Sequence, residues 1–235
     1  MVEIIWPKAS EDESAKSSRQ ELIGRMAIGV AHEIRNPLTV IKGYLQLQEK
    51  KSTYCTGDSL CIIYQEIHRI ETVITSILSL AQNKAIKRIP ENLNHILEHL
   101  YPAVKQAAAR NGIVTELLLP EHLPLLALDA AEIGELVLQL AYNGIEAMQP
   151  AGRLTIGAVQ TAGTVTLYVK DEGNGIPPEQ RERIFDPFYT TKSGNTGLGL
   201  AISLSIVERH QGKIEIISGV GAGSVFKVMF PVLEQ

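Results

Sequence analysis

Two apolar stripes at heptad spacing, separated by a short turn-rich break, constrain this chain more than any other feature. In the first, Ile23, Ala27, Val30, Ile34, Pro37 and Ile41 recur at alternating four- and three-residue steps. In the second, Leu60, Ile63, Ile67, Ile70, Ile74, Ile77 and Ala81 keep the same rhythm. That period belongs to helices packed along a narrow seam. The break from Glu49 to Asp58 is rich in Ser, Thr, Gly and Asp, so the stripes predict an antiparallel helical hairpin over 19–83. A hairpin of about 65 residues buries too little to hide two stripes. A second copy would complete a four-helix bundle, so the pattern predicts a homodimer.

The remaining composition narrows the class. The 235 residues are 45% hydrophobic and carry a net charge of -4, enough apolar content for a core. The acidic balance, with a pI near 5.9, argues against a nucleic-acid partner, which requires a basic face. Cys55 and Cys61 form neither a disulfide framework nor a zinc knuckle, as expected of a reducing compartment. No apolar run reaches the roughly 18–20 residues of a membrane span. Residues 1–18 are polar and mixed and read as a solvated linker or a frayed helix start, with Trp6 unexplained. Residues 84–90, basic and closed by Pro90, read as a connector.

From Glu91 the pattern turns to mixed elements. Helices are expected over 94–111, 129–148 (capped by Asp129) and 199–211. Strands are expected over 113–119, 125–128, 153–160, 164–170, 213–217 and 224–230. Helices and hairpin-joined strands together give an α+β sandwich, a mixed sheet with helices on one face.

Several constellations could carry chemistry. His32, Glu33, Arg35, Asn36 and Pro37 sit within one stretch of the first helix. At 100° per residue His32 lies about 200° from Val30 and Ile34, off the seam and open to a separate domain. An unprotonated imidazole is a nucleophile near neutral pH, Glu33 could take the other ring proton, and Asn36 shares the face of His32 at i+4. Pro37 should bend the helix just beyond. In the 129–148 helix, Gln139 and Asn143 share a face at i and i+4, and their amide oxygens suit Mg²⁺. Asp171-Glu172-Gly173-Asn174-Gly175 follows a strand. There a carboxylate could meet an adenine amino group while Gly173 and Gly175 allow close approach. Phe185, Phe188, Thr191 and Lys192 lead into Gly197-Leu198-Gly199 at the start of a helix, where free N–H groups and the helix dipole favour phosphate. The loop is neither a dinucleotide fingerprint, since Ile202 replaces the third glycine, nor a Walker A motif. His95 and His99 lie one turn apart with no third metal ligand and read as a solvent-facing pair.

In this order the pieces resemble the sensor histidine kinases of bacterial two-component systems. His32 to Pro37 is similar to their H-box and Asn143 to the N-box. Asp171 to Gly175 matches the G1 box, Phe185 and Phe188 the F-box, Gly197 and Gly199 the G2 box, and Gly221, Gly223 and Ser224 a final glycine turn. The texture around His32 resembles the sporulation kinases of spore-forming bacteria. The resemblance implies a dimerisation and phosphotransfer domain over 19–83 and a catalytic domain of the gyrase, Hsp90, kinase and MutL (Bergerat) fold over 91–235. It further implies ATP and Mg²⁺ as cofactors, with residues 186–198 as a mobile lid. Gln139 stands for an asparagine, Gly144 for an alanine and Asn195 for a glycine of the usual pattern.

The function so implied is autophosphorylation of His32 and transfer to an aspartate on a response regulator receiver domain, in a two-component system or phosphorelay. An inhibitory protein at the hairpin is a further expected partner. The chain reads as a cytoplasmic portion whose parent could be anchored in the membrane. The alternative is a dimeric nucleotide-binding module without phosphotransfer. A chaperone or mismatch-repair ATPase of the same fold would leave the histidine helix without a role.

Overall fold

The computed structural model describes residues 2–6, 29–31, 33–47, 57–81, 86–161, 163–192 and 195–233. Ile23, Ala27, His32 and most of the break at 49–58 lie outside the described residues. The chain divides into two compact units. One comprises Met1–Lys8, Ala85–Asp186 and Gly199–Gln235; the other comprises Ala9–Lys84 and Pro187–Leu198. Among the described residues, no helix is long and apolar enough to cross a membrane.

In the second unit, residues 29–31 are helical, α1 runs over 33–47, and α2 spans Gly57–Ala81. Pro37 and Val73 are buried. Val73 belongs to neither predicted stripe, so the face that α2 buries within one chain is rotated from the expected one. Leu60, Ile67 and Ile74, spaced by sevens, remain exposed, as do Tyr64 and Leu78 one step away. Leu38 and Leu45 are likewise exposed on α1. The helices are joined by an ion pair between Arg69 Nη2 and Glu33 Oε2, 3.5 Å apart. Thr39, Thr72 and Thr75 return their hydroxyls to the carbonyls four residues earlier, which satisfies these polar groups inside their own helix.

The first unit is built on a six-stranded mixed sheet. Its strands are β1 (Val2–Trp6), β3 (Val114–Leu118), β5 (Arg153–Thr161), β6 (Thr164–Asp171), β7 (Lys213–Ser218) and β8 (Ser224–Pro231). The order is β1-β7-β8-β6-β5-β3, with β3 and β5 parallel and the other pairs antiparallel. A separate pair joins β2 (Ile89–Glu91) to β4 (Leu126–Leu128). Three helices, α3 (Leu93–Arg110), α4 (Ala130–Ala147) and α6 (Gly199–Arg209), cover one face; α5 (Pro178–Arg181) is a single turn. Alternate strand residues supply the core beneath them: Leu154 and Ile156, Val165, Leu167 and Val169, Ile214 and Ile216, and Phe226, Val228 and Phe230. Asn92 caps α3 by accepting from the Asn94 N–H, and Asp129 caps α4 by accepting from Ala131 and Glu132.

In the first unit, two strands depart from the sequence reading. Residues 2–6, assigned to a linker, form an edge strand in which Val2 stands opposite Ser218 and Trp6 opposite Ile214. Val2, Ile4, Ile5 and Trp6 favour extended backbone, and β7 would otherwise present a row of unpaired backbone groups. Ile89 and Pro90, placed in the connector, belong to β2, where proline is tolerated because the strand is short and at an edge.

Helices α4 and α6 are locked together by buried polar contacts. Arg209 grips Glu132 with two hydrogen bonds of 3.0 Å, from Nε to Oε2 and from Nη2 to Oε1. The Arg209 and Glu132 side chains are 14% and 5% exposed, so neither charge has an alternative in solvent. Beside them, His210 Nε2 accepts the Asp129 N–H at 3.0 Å, while Nδ1 lies 2.8 Å from the Ile206 carbonyl. With one nitrogen accepting and the other donating, the ring is neutral. Burial pushes its pKa below the ordinary 6.5, outweighing the raising effects of the Ile206 carbonyl, Glu132 and Asp129.

Two outcomes follow from this clamp. Removing the Glu132 carboxylate (Glu132→Ala) leaves Arg209 buried and uncompensated and should destabilise the domain by about 3–5 kcal/mol, read by chemical denaturation. The unfolded chain takes up a proton at His210 before the folded one does. The contribution of His210 is therefore complete above pH 6.5 and lost as pH falls through and below it. Melting temperatures between pH 7.5 and 5.5 should fall less steeply for His210→Gln, whose amide oxygen can still accept, than for wild type.

Candidate active site

The sequence-predicted site residues of the first unit gather at one end of the sheet, where α4, the end of β6 and the start of α6 meet. Gly144 sets how close α4 comes. A Cβ there would lie 2.8 Å from Leu154 Cδ1 and 3.3 Å from Asp171 Cβ. The missing side chain thus brings the helix carrying Gln139 and Asn143 against the strand that ends in Asp171. This accounts for glycine in place of alanine, despite a helix penalty of about 1 kcal/mol.

Asp171 is 4% exposed, and its Oδ1 accepts from the Gly173 N–H at 2.9 Å and the Ser224 N–H at 3.2 Å. The carboxylate therefore fixes both its own loop and the start of β8. Backbone packing around it leaves no room for side chains. Gly175, at φ +69°, would place a Cβ 1.9 Å from the Gly219 carbonyl oxygen, and Gly223, at φ +72°, would place one 2.1 Å from that of Asp171. Both conformations disfavour any other residue, and both contacts are with backbone that cannot move aside. Gly173 packs as tightly on the end of α4, against the Ala147 carbonyl.

Two residues that sequence reasoning missed complete the loop. Ser218 Oγ accepts the Ile176 N–H at 2.8 Å and donates to the Gly223 carbonyl at 3.0 Å. Arg181, 4% exposed, donates from Nε to the Ile176 carbonyl at 3.1 Å. Neither carries a local signal: Ser218 reads as a strand end, and Arg181 as one charge in a polar run.

Gln139 is half-buried, and its Oε1 would lie 2.5 Å from a Cβ on Gly199. The amide oxygen thus reaches the first turn of α6, which follows the glycine-rich loop. Asn143 is also half-buried, one turn further along α4. Phe185 is 5% exposed and belongs to the core of its unit.

The remaining predicted residues fall in the second unit. Phe188 has φ +66°, a left-handed backbone that is strained for an aromatic residue. Its N–H donates to the Gly197 carbonyl at 3.1 Å, and Gly197 packs so tightly that a Cβ would meet the Phe188 backbone at 2.6 Å. Lys192 N–H donates to Thr190 Oγ1 at 3.1 Å, Thr191 is exposed, and Leu198 is buried with its N–H on Thr196 Oγ1 at 3.4 Å. The ring of Phe188 lies on Gly29, where a Cβ would come within 2.5–2.9 Å of three ring atoms. On α1, Glu33 is half-buried against Arg69 and Asn36 is exposed. Arg69 was not anticipated.

Comparison with known proteins places these features in one lineage. Residues 128–234 match the histidine kinase-, DNA gyrase B- and HSP90-like ATPase family, and residues 22–86 match the His Kinase A (phospho-acceptor) domain. Sporulation kinase C of Bacillus subtilis (strain 168) is 37% identical over 242 residues, covering 99% of this chain and 56% of that protein. The chain thus spans about half the length of that relative, and less of sporulation kinase A, at 37%. Among solved structures, histidine kinase ThkA in complex with response regulator protein TrrA is 29% identical, with a TM-score of 0.77 over 94% of this chain and 65% of that one. Acinetobacter baumannii histidine kinase AdeS shares the fold at 22% identity, with a TM-score of 0.74 over 86% of this chain and 98% of that one. With a phospho-acceptor domain followed by a nucleotide domain of the Bergerat fold, this chain belongs to the sensor histidine kinases.

Proposed function

We propose that the chain is an ATP-dependent protein histidine kinase that phosphorylates its own His32 and passes the phosphoryl group to an aspartate on a response regulator receiver domain. The observation that carries this reading is the occurrence, in one chain and in this order, of a His32-bearing helical domain and an ATPase-type domain. The likeness to sporulation kinases favours a phosphorelay, with sporulation as its output. The reading assigns 19–83 to dimerisation and phosphotransfer, 84–88 to the connector and 89–235, together with the edge strand at 2–6, to catalysis. Its substrates place the chain in the cytoplasm, whether or not the parent is anchored in the membrane.

Each step has residues suited to it. Asp171, buried and oriented by two N–H groups, accepts from the adenine amino group. Gly173 and Gly175 let the base approach the backbone, and Phe185, anchored in the core, and Phe188, seated on Gly29, hold the two ends of the short segment that borders the nucleotide. Thr191, Lys192, Gly197, Leu198 and Gly199 surround the phosphates, with α6 offering its positive end. Mg²⁺ fits the donor set: Gln139 and Asn143 present neutral amide oxygens, and Gln139 Oε1 reaches the start of α6. Those two residues would hold the ion, which when bound neutralises phosphate charge. A ring nitrogen of His32 attacks the γ-phosphorus in line. The N–P bond forms as the bond to the β–γ bridging oxygen breaks, ADP leaves, and the other ring proton passes to Glu33, which Arg69 orients. Asn36 positions water for the reverse hydrolysis. Most of the catalytic power in such a transfer is positioning and charge stabilisation.

The exposed heptad residues Leu60, Ile67 and Ile74, with Leu38 and Leu45, form a surface suited to a second copy in a four-helix bundle. The outer helical faces remain for a receiver domain or for an inhibitory protein that competes with it.

Incubation with γ-labelled ATP and Mg²⁺ should give acid-labile, base-stable label on wild type and none on His32→Ala. Absence of label on wild type, with ATP still bound, would replace the kinase by a dimeric nucleotide-binding module. Asp171→Asn should raise the dissociation constant for ATP roughly 10–100-fold, the loss of a charged hydrogen bond, as measured by calorimetry.

A further inference from the structure

We propose that Gly29 is a docking notch for the nucleotide lid on the phosphoacceptor helix, and that Phe188 is the residue that seats in it. The proposal rests on the assignment of His32 as phosphoacceptor and adds how the phosphate-bearing loop finds it.

Two otherwise unfavourable features converge on this contact. Gly29 is helical, a position that glycine weakens. A Cβ there would lie 2.5 Å from Phe188 Cδ2, 2.6 Å from Cγ and 2.9 Å from Cε2, so the ring is seated directly on the helix backbone. Phe188 holds φ +66°, and a non-glycine residue keeps such a backbone only where its surroundings enforce it. The enforcing contact is the 3.1 Å hydrogen bond from the Phe188 N–H to the Gly197 carbonyl, with Gly197 itself pressed against the Phe188 backbone at φ +68°.

The chemistry gives the contact a purpose. Gly197 opens the turn proposed to hold the phosphates, and Gly29 lies three residues before His32 in the sequence. A ring seated at Gly29 and tied by backbone to Gly197 brings the phosphate turn to the stretch of sequence that carries the acceptor histidine. The occupant is the lid of this chain, and Gly29 is a positioning residue. Any side chain at residue 29 fills the notch, whereas a smaller residue at 188 makes room for it.

The test uses the full chain. Gly29→Ala strengthens the helix, so a merely structural role predicts equal or better function. Under the proposal, its melting temperature is unchanged or higher and its KM for ATP is unchanged, while the maximal rate of His32 labelling falls at least 10-fold. Gly29→Ala combined with Phe188→Leu, which removes ring atoms from the collision, recovers part of that rate. An unchanged or faster rate for Gly29→Ala overturns the proposal. So does a slower rate accompanied by a lower melting temperature or weaker ATP binding, which would mark a folding defect. Absence of label on wild type would instead mark failure of the phosphoacceptor assignment.

Discussion

The nucleotide half of this molecule depends on holding α4 and α6 at a fixed spacing, because each brings one wall of the site. The means is electrostatic and lies away from the site. Arg209 and Glu132 are both buried, so each charge is committed to the other, and the paired hydrogen bonds fix angle as well as distance. His210 adds a neutral link from the end of α6 to the cap of α4. With that end fixed, Gln139 meets Gly199 near the other end without a covalent tie.

Around the proposed adenine pocket the structure relies on backbone more than side chain. Asp171 gathers two N–H groups, Ser218 bridges Ile176 to Gly223, and Arg181 takes the Ile176 carbonyl. Gly175 and Gly223 occupy places where a single added carbon would strike a carbonyl oxygen. A loop assembled this way is pre-shaped before any ligand arrives, which limits the ordering that binding would require.

Sequence alone disclosed what is local. The Asp129 cap, the helix after it, and the strands at 153–160 and 164–170 were legible from capping chemistry and period-two alternation, and the structure places them within a residue or so of those bounds. The glycine motifs at 171–175 and 197–199 were legible because their spacing is dictated by close approach. Pairings between distant segments were not. Arg209 could have met any carboxylate, Arg69 looked like one charge among several, and Phe188 gave no sign of a partner at Gly29. Strand β2 was lost to its own proline, and β1 to its polar neighbours. Val73 shows the same effect in the hairpin: periodicity found a stripe, but the face buried within one chain is decided by the helix opposite.

The pairing of β1 with β7 has a consequence for how the protein is made. Val2 must find Ser218, so this edge of the sheet cannot close until the ribosome has delivered roughly two hundred further residues. At about 5–20 residues per second, that is a wait of roughly 10–40 s. Throughout it, Val-Glu-Ile-Ile-Trp is a strand-forming segment without its strand, the kind of sequence through which nascent chains associate. Glu3 within it, and Pro7 and Lys8 directly after it, are the residue types that interrupt such association. The earliest residues of this sequence to be synthesised are thus among the last to reach their place.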